Sequence, residues 1–144
     1  MTDIKEILEE GGWYTGRKID VDDWILQLKN NRLTPPNITI IEFLSEFGNI
    51  EYSFMLPSGE FGNVKLVADE ILPYVEPSSL HICERLVDEP IVPIGTIFND
   101  TAYLYMSYSG KFYMSGEGKL YLLANNFIDC LDVVKNQKDI LRIK

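Results

Sequence analysis

Apolar positions recur every three to four residues along three short stretches at the start of the chain, the spacing of helices with one buried face. Ile4, Ile7 and Leu8 mark the first, Asp3 and Glu6 have the spacing of a capping box at its start, and Gly11-Gly12 stops it. Val21, Trp24, Ile25 and Leu28 mark the second. Asp20 is placed to cap it, Asp22 and Asp23 fall in its first turn, where the helix dipole favours negative charge, and Asn30-Asn31 closes it. Thr34-Pro35-Pro36 predicts the start of a third, with Thr34 as N-cap and Pro35 at the first helical position. Ile40, Ile41, Leu44 and Phe47 line that helix, and Gly48 follows it as a C′ residue.

After Gly48 the period drops to two. Ile50 to Leu56 reads as a strand, Pro57-Ser58-Gly59 turns the chain, and Phe61 to Val67 reads as a second strand. Residues 69–78 are broken by prolines, and Ser79 to Val87 predicts a helix with Leu80, Cys83 and Leu86 inward. Ile91 to Gly95 is apolar but contains Pro93, which places it at a sheet edge or at the start of a strand. Tyr103 to Tyr108 alternates, Ser109-Gly110 turns it into Lys111 to Met114, and Leu120 to Leu123 adds another strand. Asn126 is placed to cap a last helix carrying Phe127, Cys130, Leu131 and Val134. Strands joined by turns pair antiparallel, so the order predicts an α+β fold: an antiparallel sheet of about five to six strands with N-terminal and C-terminal helices packed against it.

The 144 residues suit one domain, 1–144, with no repeats and no linker. A hydrophobic content of 46% and an aromatic content of 12% argue for a packed core rather than disorder. No apolar run is long enough for a membrane span, and the N-terminal residues lack the pattern of a signal peptide, so the expected location is cytoplasmic. Cys83 and Cys130 are too few for a disulfide framework and are expected to be free. The net charge is −9, and residues 1–90 carry −10 of it while residues 91–144 carry +1. Such acidity disfavours direct nucleic-acid binding and favours encounter with a basic protein surface. Taken alone, it needs no more than solubility to account for it.

Candidate chemistry is sparse. No phosphate-binding glycine loop and no G-x-S-x-G elbow occurs. His81 is the single histidine, and His81-x-Cys83 is too small a set for zinc, so neither a metal nor a cofactor is expected. Asp20, Asp22 and Asp23 read as helix-start residues rather than an acid–base pair. Tyr103 and Tyr105 share one face of their strand, opposite Leu104 and Met106. That face either forms an outer binding surface or is covered by a helix.

Four stretches form a pattern across most of the chain: Gly12-Trp13-Tyr14-x-Gly16-Arg17-x-x-Asp20, Phe43-Leu44-x-x-Phe47-Gly48, Pro93-Ile94-Gly95, and the strand–turn–strand from Leu104 through Gly110 to Tyr113 with Leu122-Leu123 after it. In these stretches the chain resembles the SUKH superfamily of immunity proteins, and most closely its third subgroup. It departs from the pattern at Ala124, where a glycine is expected, and at Ser107, where an acid is common. The resemblance implies a bacterial, cytoplasmic, non-enzymatic antitoxin. Its partner would be the cognate toxin domain of a polymorphic or contact-dependent system, a nuclease or nucleic-acid deaminase with a basic cleft. A general interaction module of the same fold with a regulatory partner is the alternative. Trp13, Gly16, Arg17, Gly48, Gly95 and Gly110 are then structural motif residues, and Arg17 pairs with Asp20 or another nearby acid, or touches a partner. Partner contacts are expected at Glu51, Tyr52, Glu60, Tyr103 and Tyr105, with the chain a monomer or a weak dimer.

Overall fold

The computed structural model describes residues 4–67, 70–137 and 141–143, with the side chains of residues 141 and 142 left undescribed. Helices α1 (Ile4–Gly11), α2 (Asp22–Asn30) and α3 (Ile38–Phe47) precede strands β1 (Ile50–Met55) and β2 (Phe61–Leu66). A 3-10 turn (Leu72–Tyr74) and helix α4 (Pro77–Val87) follow. Strands β3 (Ile91–Ile97), β4 (Ala102–Ser107), β5 (Phe112–Gly116) and β6 (Lys119–Ala124), helix α5 (Phe127–Asn136) and a two-residue strand β7 (Leu141–Arg142) complete the chain. The strands form one antiparallel sheet in sequence order from β1 to β7. This is the expected α+β arrangement; the short β7 adds a strand to it. The Asp3 cap lies outside the described residues.

Two corrections concern helix starts. Asn37, not Thr34, caps α3: its side chain accepts from the Ile40 N–H at 3.1 Å. Thr34 is instead committed elsewhere, donating to Glu84 at 2.7 Å. Helix α4 begins at Pro77, two residues before the predicted start, with proline in the first turn where no N–H is needed. After α3 the left-handed residue is Asn49 (φ 58°), while Gly48 is extended. Gly48 is required for space: a Cβ there would lie 2.5 Å from the Leu44 carbonyl oxygen.

One face of the sheet carries α1, α3 and α5. Phe127 of α5 sits at the centre of an aromatic cluster, 4.9 Å from Phe43, 4.9 Å from Phe47, 5.7 Å from Tyr52 and 5.7 Å from Phe112. Tilted and edge-on contacts of this kind exploit the ring quadrupoles and add to the area buried. On β1, Ile50, Tyr52 and Phe54 face these helices, and Glu51, Ser53 and Met55 face away. Helix α4 covers part of the opposite face.

The stretch beginning at Ile91 is not an edge. As β3 it lies between β2 and β4, and all seven of its residues are buried because helices lie on both faces. Pro93 is accommodated at a register shift between Pro93 and Gly95, a bulge that relieves the missing N–H. At Gly95 a Cβ would stand 2.0 Å from the Lys65 carbonyl oxygen, so β2 approaches β3 as closely as it does only over a glycine.

Candidate functional site

The Gly12–Asp20 segment is a clamp on the end of α3. Trp13 stacks on Phe47 at 6.2 Å between ring centroids, and its indole N–H donates to Glu46 Oε2 at 3.0 Å. Arg17 donates from Nη1 to the Glu46 carbonyl at 2.7 Å, and the Ile19 N–H donates to the Ser45 carbonyl at 2.9 Å. A cation at a helix C-terminus satisfies an orphan carbonyl and opposes the dipole. Arg17 therefore has its partner inside the molecule, and that partner is a backbone oxygen rather than Asp20. Asp20 instead accepts from the Asp22 N–H at 2.8 Å, at the start of α2. Trp13 is only half-buried.

Of the expected contact residues, Tyr52 is fully buried on the face with α1, α3 and α5. Its hydroxyl donates to the Phe47 carbonyl at 2.9 Å, and desolvation raises its pKa well above the ordinary range, so its side chain offers nothing to a partner. Tyr105 is 4% exposed, because α4 covers the tyrosine face of β4. Its hydroxyl shares a 2.8 Å hydrogen bond with Ser115, and burial pushes its pKa up to about 12 despite that bond. Tyr103 is partly open; Glu51 and Glu60 are exposed. Glu51 accepts from Asn63 Nδ2 at 2.7 Å.

Tyr103 and Tyr105 lie in a groove of about 640 Å³ between α4 and strands β4 to β6. Helix α4 contributes Ser79, Ile82, Cys83 and Leu86 to it, successive positions on one helical stripe. Leu80 anchors the helix, whereas Leu86, predicted inward, is 41% exposed and Ile82 is 50% exposed. The apolar arc of α4 is therefore wider than the sheet beneath it can cover. Tyr74, at the end of the 3-10 turn, adds a third open apolar side chain at 73% exposure. Leu120 adds apolar lining from β6, while Glu76, Asp100, Glu117 and Lys119 supply the charge.

Asp100 is held in an unusual turn. Phe98, Asn99 and Asp100 are consecutive left-handed residues (φ 53°, 56° and 67°) with no glycine among them. Asn63 holds the turn by accepting from the Phe98 N–H through its carbonyl (3.1 Å) and from the Asn99 N–H through its side chain (2.7 Å). Thr96 donates to Asp100 Oδ1 at 2.7 Å, and Lys65 Nζ lies 3.5 Å from Asp100 Oδ2 and 3.0 Å from Glu70. Asn99-Asp100 are residue types that favour turns and left-handed backbone, but the constraint that fixes this turn comes from Asn63 on another strand and is not local. Ile82 was hidden until the placement of α4 showed which of its apolar residues the sheet leaves open.

Burial pushes the Cys83 thiol up, toward its neutral form, as it does Tyr105; an activated nucleophile needs the opposite shift. His81 lies on another side of α4, 2.9 Å from Glu84. Among the described residues no group of three or more metal-ligating side chains is gathered. Both cysteines are free, and no described helix is long and apolar enough to cross a membrane. Comparison with known families matches the SUKH-3 immunity protein family over residues 1–136. No curated protein and no solved structure matches the chain.

Proposed function

Because the chain belongs to the SUKH-3 immunity protein family, we propose that it is a cytoplasmic antitoxin that binds a cognate nuclease or nucleic-acid deaminase toxin domain and blocks its active site. The observation that carries this reading is the family match across residues 1–136. The charge supplies a mechanism. A nucleic-acid enzyme must attract phosphates, so its cleft is basic, and a protein of net charge −9 can occupy that cleft in place of substrate. Glu60, Glu76 and Glu117 are in no ion pair among the described residues, which leaves their charge available to a partner. Glu51 and Tyr103, on the sheet face away from α1, α3 and α5, and Glu60, exposed in the turn between β1 and β2, are the remaining candidate contacts.

Co-expression tests the reading. Producing the chain together with the C-terminal toxin domain encoded beside it should restore growth and yield a co-purifying complex. Growth arrest despite a folded, abundant chain would contradict the reading. A regulatory partner in place of a toxin would show itself as a stable complex with a non-toxic protein.

A further inference from the structure

We propose that the groove between α4 and β4–β6 is the docking site for a cationic, apolar-flanked segment of the toxin, an arginine or lysine side chain seated among tyrosines. The proposal rests on the antitoxin reading and adds the surface and the chemistry it recognises. Three observations converge on the groove. Tyr74, Ile82 and Leu86 are open apolar side chains gathered along one depression of about 640 Å³, a size within the range of real ligand sites. Isolated exposed apolar residues need no explanation, but three lining one concavity do.

The second observation is charge. Glu76 and Glu117 outnumber Lys119 along the lining, and Glu70 with Asp100 outnumber Lys65, which they share. The surroundings are therefore net negative, which selects a cation. Two copies of this chain facing each other groove to groove would bring like charges together, and an anionic membrane or nucleic acid would be repelled. Tyr74 and Tyr103 offer aromatic faces on which a guanidinium can stack.

The third observation is backbone strain. Three left-handed, non-glycine residues in succession are costly, and they persist here because Asn63, Thr96 and Lys65 fix the turn. The result is a rim carboxylate, Asp100, held in place before any partner arrives. Preorganisation of this kind lowers the cost of ordering side chains on binding.

The test measures the affinity of the full chain for the toxin domain with two paired variants and one control. Ile82→Asn/Leu86→Asn removes two exposed apolar side chains without adding charge and should leave the melting temperature close to wild type while raising Kd at least about 100-fold, as loss of buried anchors does. Glu76→Lys/Glu117→Lys should raise Kd roughly 10-fold at low salt and flatten its salt dependence. Glu9→Lys/Glu10→Lys makes the same charge change on α1, on the other face, and should stay within about threefold of wild type. If wild type binds and both groove variants bind equally well, the groove proposal is overturned and the antitoxin reading stands. If the Glu9/Glu10 variant loses as much affinity as Glu76/Glu117, only net charge matters and the groove is again overturned. Should the groove variants instead convert a dimer to a monomer with toxin affinity intact, the groove is a self-association seam. If wild type itself fails to bind the toxin domain, the antitoxin reading fails and the docking proposal falls with it.

Discussion

Gly95 has no room for a side chain, because a Cβ would sit 2.0 Å from a β2 carbonyl oxygen. Gly95→Ala is expected to lower stability by about 3 kcal/mol by forcing β2 and β3 apart. Urea denaturation measures this, and an unchanged midpoint would contradict the β2–β3 packing. Arg17→Ala removes a charge-assisted bond from the end of α3 and should cost about 1–2 kcal/mol. Toxin affinity should be unaffected, since Arg17 is spent on Glu46. A folded Arg17→Ala chain that has lost binding would move Arg17 to the interface. The buried tyrosines set an alkaline limit. Tyr105 is raised to about 12 from 10.0, and Tyr52 is raised as well. The unfolded chain loses these protons first, so their contribution is complete below about pH 10 and drains away as pH rises through about 12. The urea midpoint should therefore fall as pH rises from about 10 to about 12.

At the scale of elements, Glu84 is the fastening of α4. Its Oε2 accepts from Thr34 Oγ1 at 2.7 Å and from the Ile91 N–H at 3.0 Å, joining the helix to the segment before α3 and to the first residue of β3. Glu84→Ala should cost about 2–3 kcal/mol and speed amide exchange in α4 and at Ile91. If exchange there is unchanged, α4 is held by packing through Leu80 alone. Most elements were legible as periods: the alternation of Ile50, Tyr52 and Phe54 with Glu51 and Ser53 matches the burial of β1 residue by residue. That same alternation places Tyr52 inside, which its acidic neighbour Glu51 obscured. Pro93 misdirected the reading of β3, because a bulge that lets proline into a central strand depends on the neighbouring strand rather than on local residues. Thr34 has the residue type of an N-cap, but its hydroxyl was claimed by Glu84, fifty residues away in sequence. Of the groove only the shared face of Tyr103 and Tyr105 was legible, since its other wall exists only where α4 crosses strands that follow it in the chain.

For the whole molecule, the relevant quantity is a net charge of −9 concentrated in the first ninety residues. Long-range attraction between exposed charges is screened beyond about 8 Å at physiological salt. The association rate with the toxin domain should therefore fall steeply as salt rises, while dissociation, governed by the apolar groove contacts, changes little. A salt-insensitive association rate would remove the acidic surface from the mechanism. In the proposed function the chain stops another protein's chemistry by occupying its active site. Titrating a fixed amount of the toxin domain with the purified chain, and following cleavage or deamination of nucleic acid, tests this most directly. Activity should fall linearly to zero at one equivalent of chain. Undiminished toxin activity in the presence of excess folded chain would contradict it.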